Sequence, residues 1–190
     1  CIEYCVVKSS DKLTCTTQKM VQYFKHIYPE VIEQKPIYIL PSLTEEILLH
    51  EKEYIRQQFN IPGDYFVLVY SGVFAPWVCD KEMFSLFGRI LEYLSGKAIF
   101  IILSPNFKED VPLNLKNKVK HLYLEHKKAF TVLQGADAGI ILRKDSIVNK
   151  VASPTKIAEY LISGLPVIMS DNIGDFSDIV SRNNLGVVIK

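Results

Sequence analysis

The run Ser153-Pro-Thr-Lys-Ile-Ala-Glu159 followed by Gly164-Leu-Pro-Val-Ile168 carries the clearest chemistry in the chain. It reads as a helix with Ser153 as N-cap, Pro154 at the first helical position and Gly164 as the left-handed residue that ends it. Ile157, Leu161 and Ile162 mark its apolar face. The head of such a helix offers backbone amides and the positive end of a dipole to an anion. Glu159, one turn in, sits within reach of a hydroxylated ligand. A phosphate and a sugar ring suit that combination. Pro166-Val-Ile-Met-Ser170 then leads the chain into a buried parallel strand.

Such a helix needs a sheet to aim it. Apolar runs at about 65–71, 98–103, 119–124, 138–142, 167–170 and 186–189 alternate with helical patterns at 81–94, 128–133, 155–162 and 176–182, with a short irregular helix before Lys118. That alternation predicts an α/β fold, a doubly wound parallel sheet covered on both faces. Ahead of it, a helix ending near Ser9, strands at 13–16 and 37–40 and a helix at 19–27 stopped by Pro29 form a partial α/β segment. Ser42-Leu-Thr-Glu45 resembles a capping box that starts a helix running to about residue 59. The expected divisions are residues 1–41, the tail of a preceding domain, residues 42–63, a linker helix, and residues 64–190, the nucleotide-binding type of domain.

Ligands of doubly wound sheets sit beyond the carboxyl ends of the strands, which singles out a few loops. Gly72, just past the first strand of the sheet, lets the backbone approach a phosphate. No GxGxxG and no GxxxxGK[ST] accompanies it, which argues against a dinucleotide or P-loop site. Arg143, just past a buried strand, has two readings, a bidentate partner for a diphosphate or a surface arginine beside Asp145. Trp77 reads as a packing or domain-contact residue, with stacking on a base or sugar as the alternative, and His126 as an exposed loop residue. No Ser, His and Asp group stands out as a triad, so no catalytic residue is assigned.

Composition removes other classes. With 48% hydrophobic and 23% charged residues, the 190-residue chain can bury one full core and a remnant of another. A net charge of +1, without a basic run interleaved with aromatics, gives no reason to expect nucleic acid. Lys116, Lys118, Lys120, Lys127 and Lys128 read as solvated faces. Apolar runs are too short to span a bilayer, and no signal peptide opens the chain. Cys1, Cys5, Cys15 and Cys79 lack zinc spacing and read as reduced packing residues.

Taken together, YSGVFAPW at 70–77, ADAGIILR at 136–143, SPTKIAEYLISGLPVI at 153–168 and NIGDFSDIV at 172–180 resemble the donor-binding half of a group 1 glycosyltransferase. This is the retaining kind, built from two facing Rossmann-like domains and known as GT-B architecture. SSDKLTCTTQKM at 9–20 is similar to the segment that closes the first domain of that family, and IYILPSLTEE at 37–46 to its crossover between domains. PSLTE departs from the family's usual Pro-Asn-Gly.

The resemblance implies a site residue by residue. The second of the family's paired glutamates, which contacts the ribose, matches Glu159; the first falls on Val151, which accepts no hydrogen bond. Ser153, Thr155 and Lys156 match the diphosphate cradle, with a plain surface lysine as the other reading of Lys156. The family's arginine and lysine after the first strand have no counterpart in SGVFAPW, and Arg143 is the candidate stand-in. The implied activity is glycosyl transfer with retention from a nucleoside diphosphate sugar, with no cofactor beyond that donor and no metal, in agreement with the lack of an Asp-x-Asp run. The implied partners are the nucleotide sugar and an acceptor glycan or lipid-linked sugar held by a first domain, with no nucleic acid. The implied setting is cell-surface polysaccharide or glycolipid synthesis, in the cytoplasm or as a peripheral protein at the inner face of the membrane. Two other readings stand beside it, a sugar-nucleotide epimerase of GT-B type and a non-catalytic nucleotide-sugar-binding module.

Overall fold

Amphipathic helices alternate with strands from the first described residues onward, and two parallel sheets result. The computed structural model describes residues 2–44, 52–58, 60–108 and 110–190. Its front segment runs α1 (Ile2–Ser9), β1 (Leu13–Cys15), α2 (Gln18–Ile27), α3 (Pro29–Ile32) and β2 (Ile37–Ile39). β1 and β2 pair in parallel from Leu13↔Ile37 to Cys15↔Ile39, with α2 and α3 in the crossover. Val7, Cys15, Val21 and Ile32 are the buried apolar side chains among its described residues, and Thr17 is buried with them. Pro29 stops α2 as expected and then opens α3, because a ring without an N–H fits a first helical turn.

The head of α2 is held by residues far along the chain. Thr17 accepts from the Met20 amide at 3.0 Å and donates to the Val151 carbonyl at 2.8 Å. The Asp175 carboxylate takes the Gln18 and Lys19 amides at 2.6 and 3.1 Å, and Lys19 pairs with Asp178 at 3.5 Å. Amides that no helix can satisfy internally thus dock the front segment on the loops around Val151 and Asp175.

After α4 (Lys52–Gln58) the chain builds β3 (Phe66–Ser71), α5 (Asp80–Tyr93), β4 (Ala98–Leu103), a 3-10 turn (Leu113–Lys118), β5 (Val119–Leu122) and α6 (His126–Gln134). It continues through β6 (Ala138–Ile141), α7 (Ile147–Lys150), α8 (Thr155–Ile162), β7 (Val167–Ser170), α9 (Phe176–Arg182) and β8 (Gly186–Ile189). The six strands stand in the order β5-β4-β3-β6-β7-β8, all parallel. One core cluster centres on Val67, Val69, Ile101 and Ile157 and the other on Leu68, Tyr70, Phe87 and Phe100, so successive residues of β3 feed opposite faces. The doubly wound α/β sheet is therefore the Rossmann-like one expected. Its order reverses between β3 and β6, which opens the crevice there.

Several local expectations change. α8 begins at Thr155 with Pro154, not Ser153, in the cap position and no side-chain cap. The Ser153 hydroxyl instead accepts from the Ser42 amide at 3.1 Å. Tyr160 joins Ile157 as a fully buried residue of that helix, whereas Ile162 is exposed. α7 was not expected. Cys15 is buried as a packing residue should be, but Cys5 is exposed. Lys118 is no solvated lysine: it donates to the Gly96 carbonyl at 2.7 Å and lies over the Tyr65 ring. Glu45, and the start of the helix expected after it, lie outside the described residues.

Candidate functional site

The crevice owes its opening to a glycine and a tyrosine. β3 and β6 pair only at Leu68↔Ala138 and Val69↔Gly139 before separating. The Tyr160 ring fills the space beside Gly139, where an added Cβ would lie 2.4 Å from the ring. Its hydroxyl bridges the parted strands, accepting from the Ser71 amide at 2.8 Å and donating to the Ile140 carbonyl at 3.2 Å. Burial pushes the Tyr160 hydroxyl well up from the usual tyrosine range, so it stays neutral and keeps its proton to donate.

Gly72 follows at once with φ 131°, and Lys156 crosses it: a Cβ there would lie 1.8 Å from Lys156 Cε and 2.1 Å from Nζ. Glycine suits that backbone, which other residues rarely adopt, and a side chain there would displace the end of Lys156. The Lys156 ammonium sits 5.2 Å from the Tyr70 ring centroid. Desolvation, and next the positive charge of Arg143, lower its pKa from 10.5 to about 8, with Glu159 opposing. Lys156 is therefore no plain surface lysine.

Arg143 is fixed from two sides. Val78 forms a β-bridge with it, while Lys144 donates to the Trp77 carbonyl and Cys79 to the Leu142 carbonyl, each at 3.0 Å. The Ser170 hydroxyl accepts from the Arg143 amide at 2.9 Å and donates to its carbonyl at 3.1 Å. The guanidinium donates to Asn149 Oδ1 at 3.2 Å, and its Nε is buried without an acceptor. Arg143 is half-buried, which a surface arginine would not be, and the neighbouring Asp145 pairs with Lys150 at 2.8 Å. Burial lowers the Arg143 pKa, opposed by Tyr70. Among the described residues, neither Arg143 nor Lys156 forms a salt bridge. Two partly desolvated cations without a carboxylate partner make a receptor for an anion.

Thr155 and Lys156 supply the first amides of α8, which no intrahelical acceptor can reach. Glu159 faces a different neighbour. Its Oε1 lies 3.2 Å from His126 Nε2, with its side chain 12% exposed against 58% for the histidine. His126 opens α6 instead of lying in a loop, and its ring stands edge-on to Phe130. Val151 is half-buried, and its carbonyl serves Thr17. Trp77 is exposed, and its carbonyl accepts from the Lys144 amide beside Arg143.

Asn149 escaped the sequence reading. It is buried, holds the Arg143 guanidinium, donates to the Lys144 carbonyl at 2.7 Å and accepts through its own carbonyl from Gly174 at 3.0 Å. Its signal was the Ser146-Ile-Val-Asn149 spacing, in which Ser146 caps α7 by accepting from the Asn149 amide. The structure thus brings Gly72, Arg143, Thr155, Lys156 and Glu159 to one edge of the sheet and gives the Ser153 hydroxyl to the segment at Ser42. Among the described residues no group of three or more His, Cys, Asp or Glu could hold a metal ion, and no helix is long and apolar enough to cross a membrane.

No family model and no curated protein matches the chain by sequence. Solved structures do match it. WaaG, a glycosyltransferase involved in lipopolysaccharide biosynthesis, is 18% identical with TM-score 0.75 over 94% of this chain and 49% of its own. Anabaena HepE, solved in complex with UDP-glucose, is 14% identical with TM-score 0.74, covering 100% of this chain and 52% of its own. The C-terminal domain of the group 1 glycosyltransferase LpcC from Francisella tularensis is 13% identical with TM-score 0.60, covering 76% of this chain and 77% of its own. The chain spans about half the length of the first two of these relatives. It has the fold of half a GT-B glycosyltransferase, as the motif resemblance implied.

Proposed function

We propose that the crevice between β3 and β6 binds a nucleoside diphosphate sugar through its diphosphate, and that the chain is the donor-binding half of a retaining glycosyltransferase. One observation carries this reading: Lys156 crosses Gly72 with Arg143 near enough for its charge to be felt, neither cation in a salt bridge among the described residues, at the edge where doubly wound sheets hold ligands. Glu159 on the same helix supplies the acceptor for ribose hydroxyls. Structural relatives solved with UDP-glucose or UDP support the ligand class.

In the reaction the bond from the anomeric carbon to the diphosphate oxygen breaks and one to the acceptor oxygen forms. The acceptor hydroxyl proton passes to the departing diphosphate, on which the electron pair of the broken bond collects as negative charge. Arg143, Lys156 and the amides of Thr155 and Lys156 are preorganised to stabilise that charge, which lowers the barrier without reorganisation at the moment of reaction. In this reading Gly72 gives the phosphate close approach, Ser153 frames the cradle, and no metal is required. The acceptor is a glycan or lipid-linked sugar, bound by a further domain in cell-surface polysaccharide or glycolipid synthesis at the cytoplasmic membrane face. The chain alone binds donor and transfers little.

A thermal-shift screen against uridine, guanosine and adenosine diphosphate sugars tests the reading. One of them should raise the melting temperature in proportion to the logarithm of its concentration. No shift with any of them, and none with inorganic pyrophosphate, would sink it.

A further inference from the structure

The Glu159 carboxylate has a single hydrogen-bond partner among the described residues, and it comes from another element: His126, the first residue of α6. The imidazole is itself held. Its ring stands at 89° to Phe130 with centroids 5.0 Å apart, and Phe130 belongs to the buried core of that sheet face. The chain of support therefore runs from core to Phe130, from Phe130 to His126, and from His126 Nε2 to Glu159 Oε1. A glutamate has several freely rotating torsions, and ordering them on binding costs affinity unless a neighbour has already done so. With Oε1 engaged, Oε2 remains for a ligand.

We propose that His126 is a positioning residue that orients Glu159 toward the vicinal hydroxyls of the bound ribose and so sets discrimination between ribo- and deoxynucleotides. The inference rests on the reading of Glu159 as the ribose contact and goes beyond it. It assigns the selectivity of that contact to a second residue, on an element separate from the diphosphate cradle. Arg143, Lys156 and Gly72 then govern affinity for the anion, while the His126–Glu159 pair governs the choice of sugar. A side chain that only packed against Phe130 would do neither.

The test is titration calorimetry of the chain and of His126→Ala and His126→Gln variants. The probes are UDP, GDP and ADP, their 2′,3′-dideoxy forms and inorganic pyrophosphate. The unaltered chain should prefer the ribo form of its nucleotide by about tenfold or more, because a site built to accept from hydroxyls penalises their loss. His126→Ala should bring that ratio to within about threefold while leaving pyrophosphate affinity unchanged, since a freely rotating carboxylate must be ordered at each binding event. Glutamine, which also presents an N–H to Glu159, should restore the preference. A ratio that survives in His126→Ala overturns the inference, as does one lost in both variants or one absent from the unaltered chain while pyrophosphate still binds. Failure of the donor-site reading looks different: neither pyrophosphate nor any nucleotide binds the unaltered chain. Because His126 is 58% exposed, its replacement should leave the fold intact, and the melting temperature of each variant checks this.

Discussion

Two arginines stand at opposite ends of the same pair of strands and are treated in opposite ways. At the amino edge, Arg56 of α4 is 6% exposed and donates to the carbonyls of Gly135, Gly63 and Tyr65 and to Asp137. Asp137 also accepts from Lys52 and from the Val67 amide, so acid and bases there are closed upon each other. At the carboxyl edge, Arg143 has one amide oxygen, a buried Nε without an acceptor and a second cation for a neighbour. The first arrangement ties α4 to the sheet. The second is incomplete by itself, and incompleteness of charge is what marks a place for a ligand.

Removing each arginine breaks the comparison most directly. Arg56→Met should cost about 3–5 kcal/mol of stability in urea unfolding, because Asp137 and the carbonyls lose their donors inside the protein. Arg143→Met should cost far less stability than Arg56→Met, since the stranded Asn149 Oδ1 is offset by deleting an unsatisfied donor and a like-charge repulsion, yet weaken pyrophosphate or nucleotide binding by about tenfold or more in calorimetry. Equal loss of stability in both variants would make Arg143 a structural residue.

A smaller effect sharpens the contrast through pH. The pKa of Lys156 is lowered from 10.5 to about 8 in the folded chain, so between those values the unfolded chain holds a proton that the empty folded site has released. The ligand-free protein should therefore gain stability as pH rises through that window, the direction linkage requires when the unfolded state binds more protons. Anion affinity should fall over the same range, because binding must then take up a proton. Lys156→Met should flatten both profiles, and a pH-independent affinity from 7 to 10 would refute the assignment.

Much of this was legible in the residues, for reasons particular to them. The strands of the sheet are apolar runs bounded by breakers, and parallel strands buried on both faces leave that trace wherever they occur. The carboxyl-edge rule then selected Gly72 and Arg143 before any distance was known. The rest depends on partners remote in sequence. Ser153 has the type and position of an N-cap, yet its hydroxyl is engaged by Ser42, and spacing cannot foresee a competitor from another segment. Tyr160 was passed over for Ile162 because its burial depends on Gly139 having no side chain. Spacing leaves Arg143 open between a diphosphate partner and a surface arginine beside Asp145, because only the fold shows it half-buried on Asn149 while Lys150 takes the acid.

The seat of α2 constrains how the chain can move. A rotation of residues 2–41 away from the six-stranded sheet would strip the Asp175 carboxylate from two amides and part Thr17 from Val151, exposing a bare helix end. Gly174 is close against that seam, since an added Cβ would lie 3.1 Å from Thr17 Cγ2 on the α2 side and 1.8 Å from the Ala152 carbonyl behind it. Any hinge that opens the crevice between β3 and β6 should thus lie elsewhere than between α2 and the sheet, with the two travelling as one body.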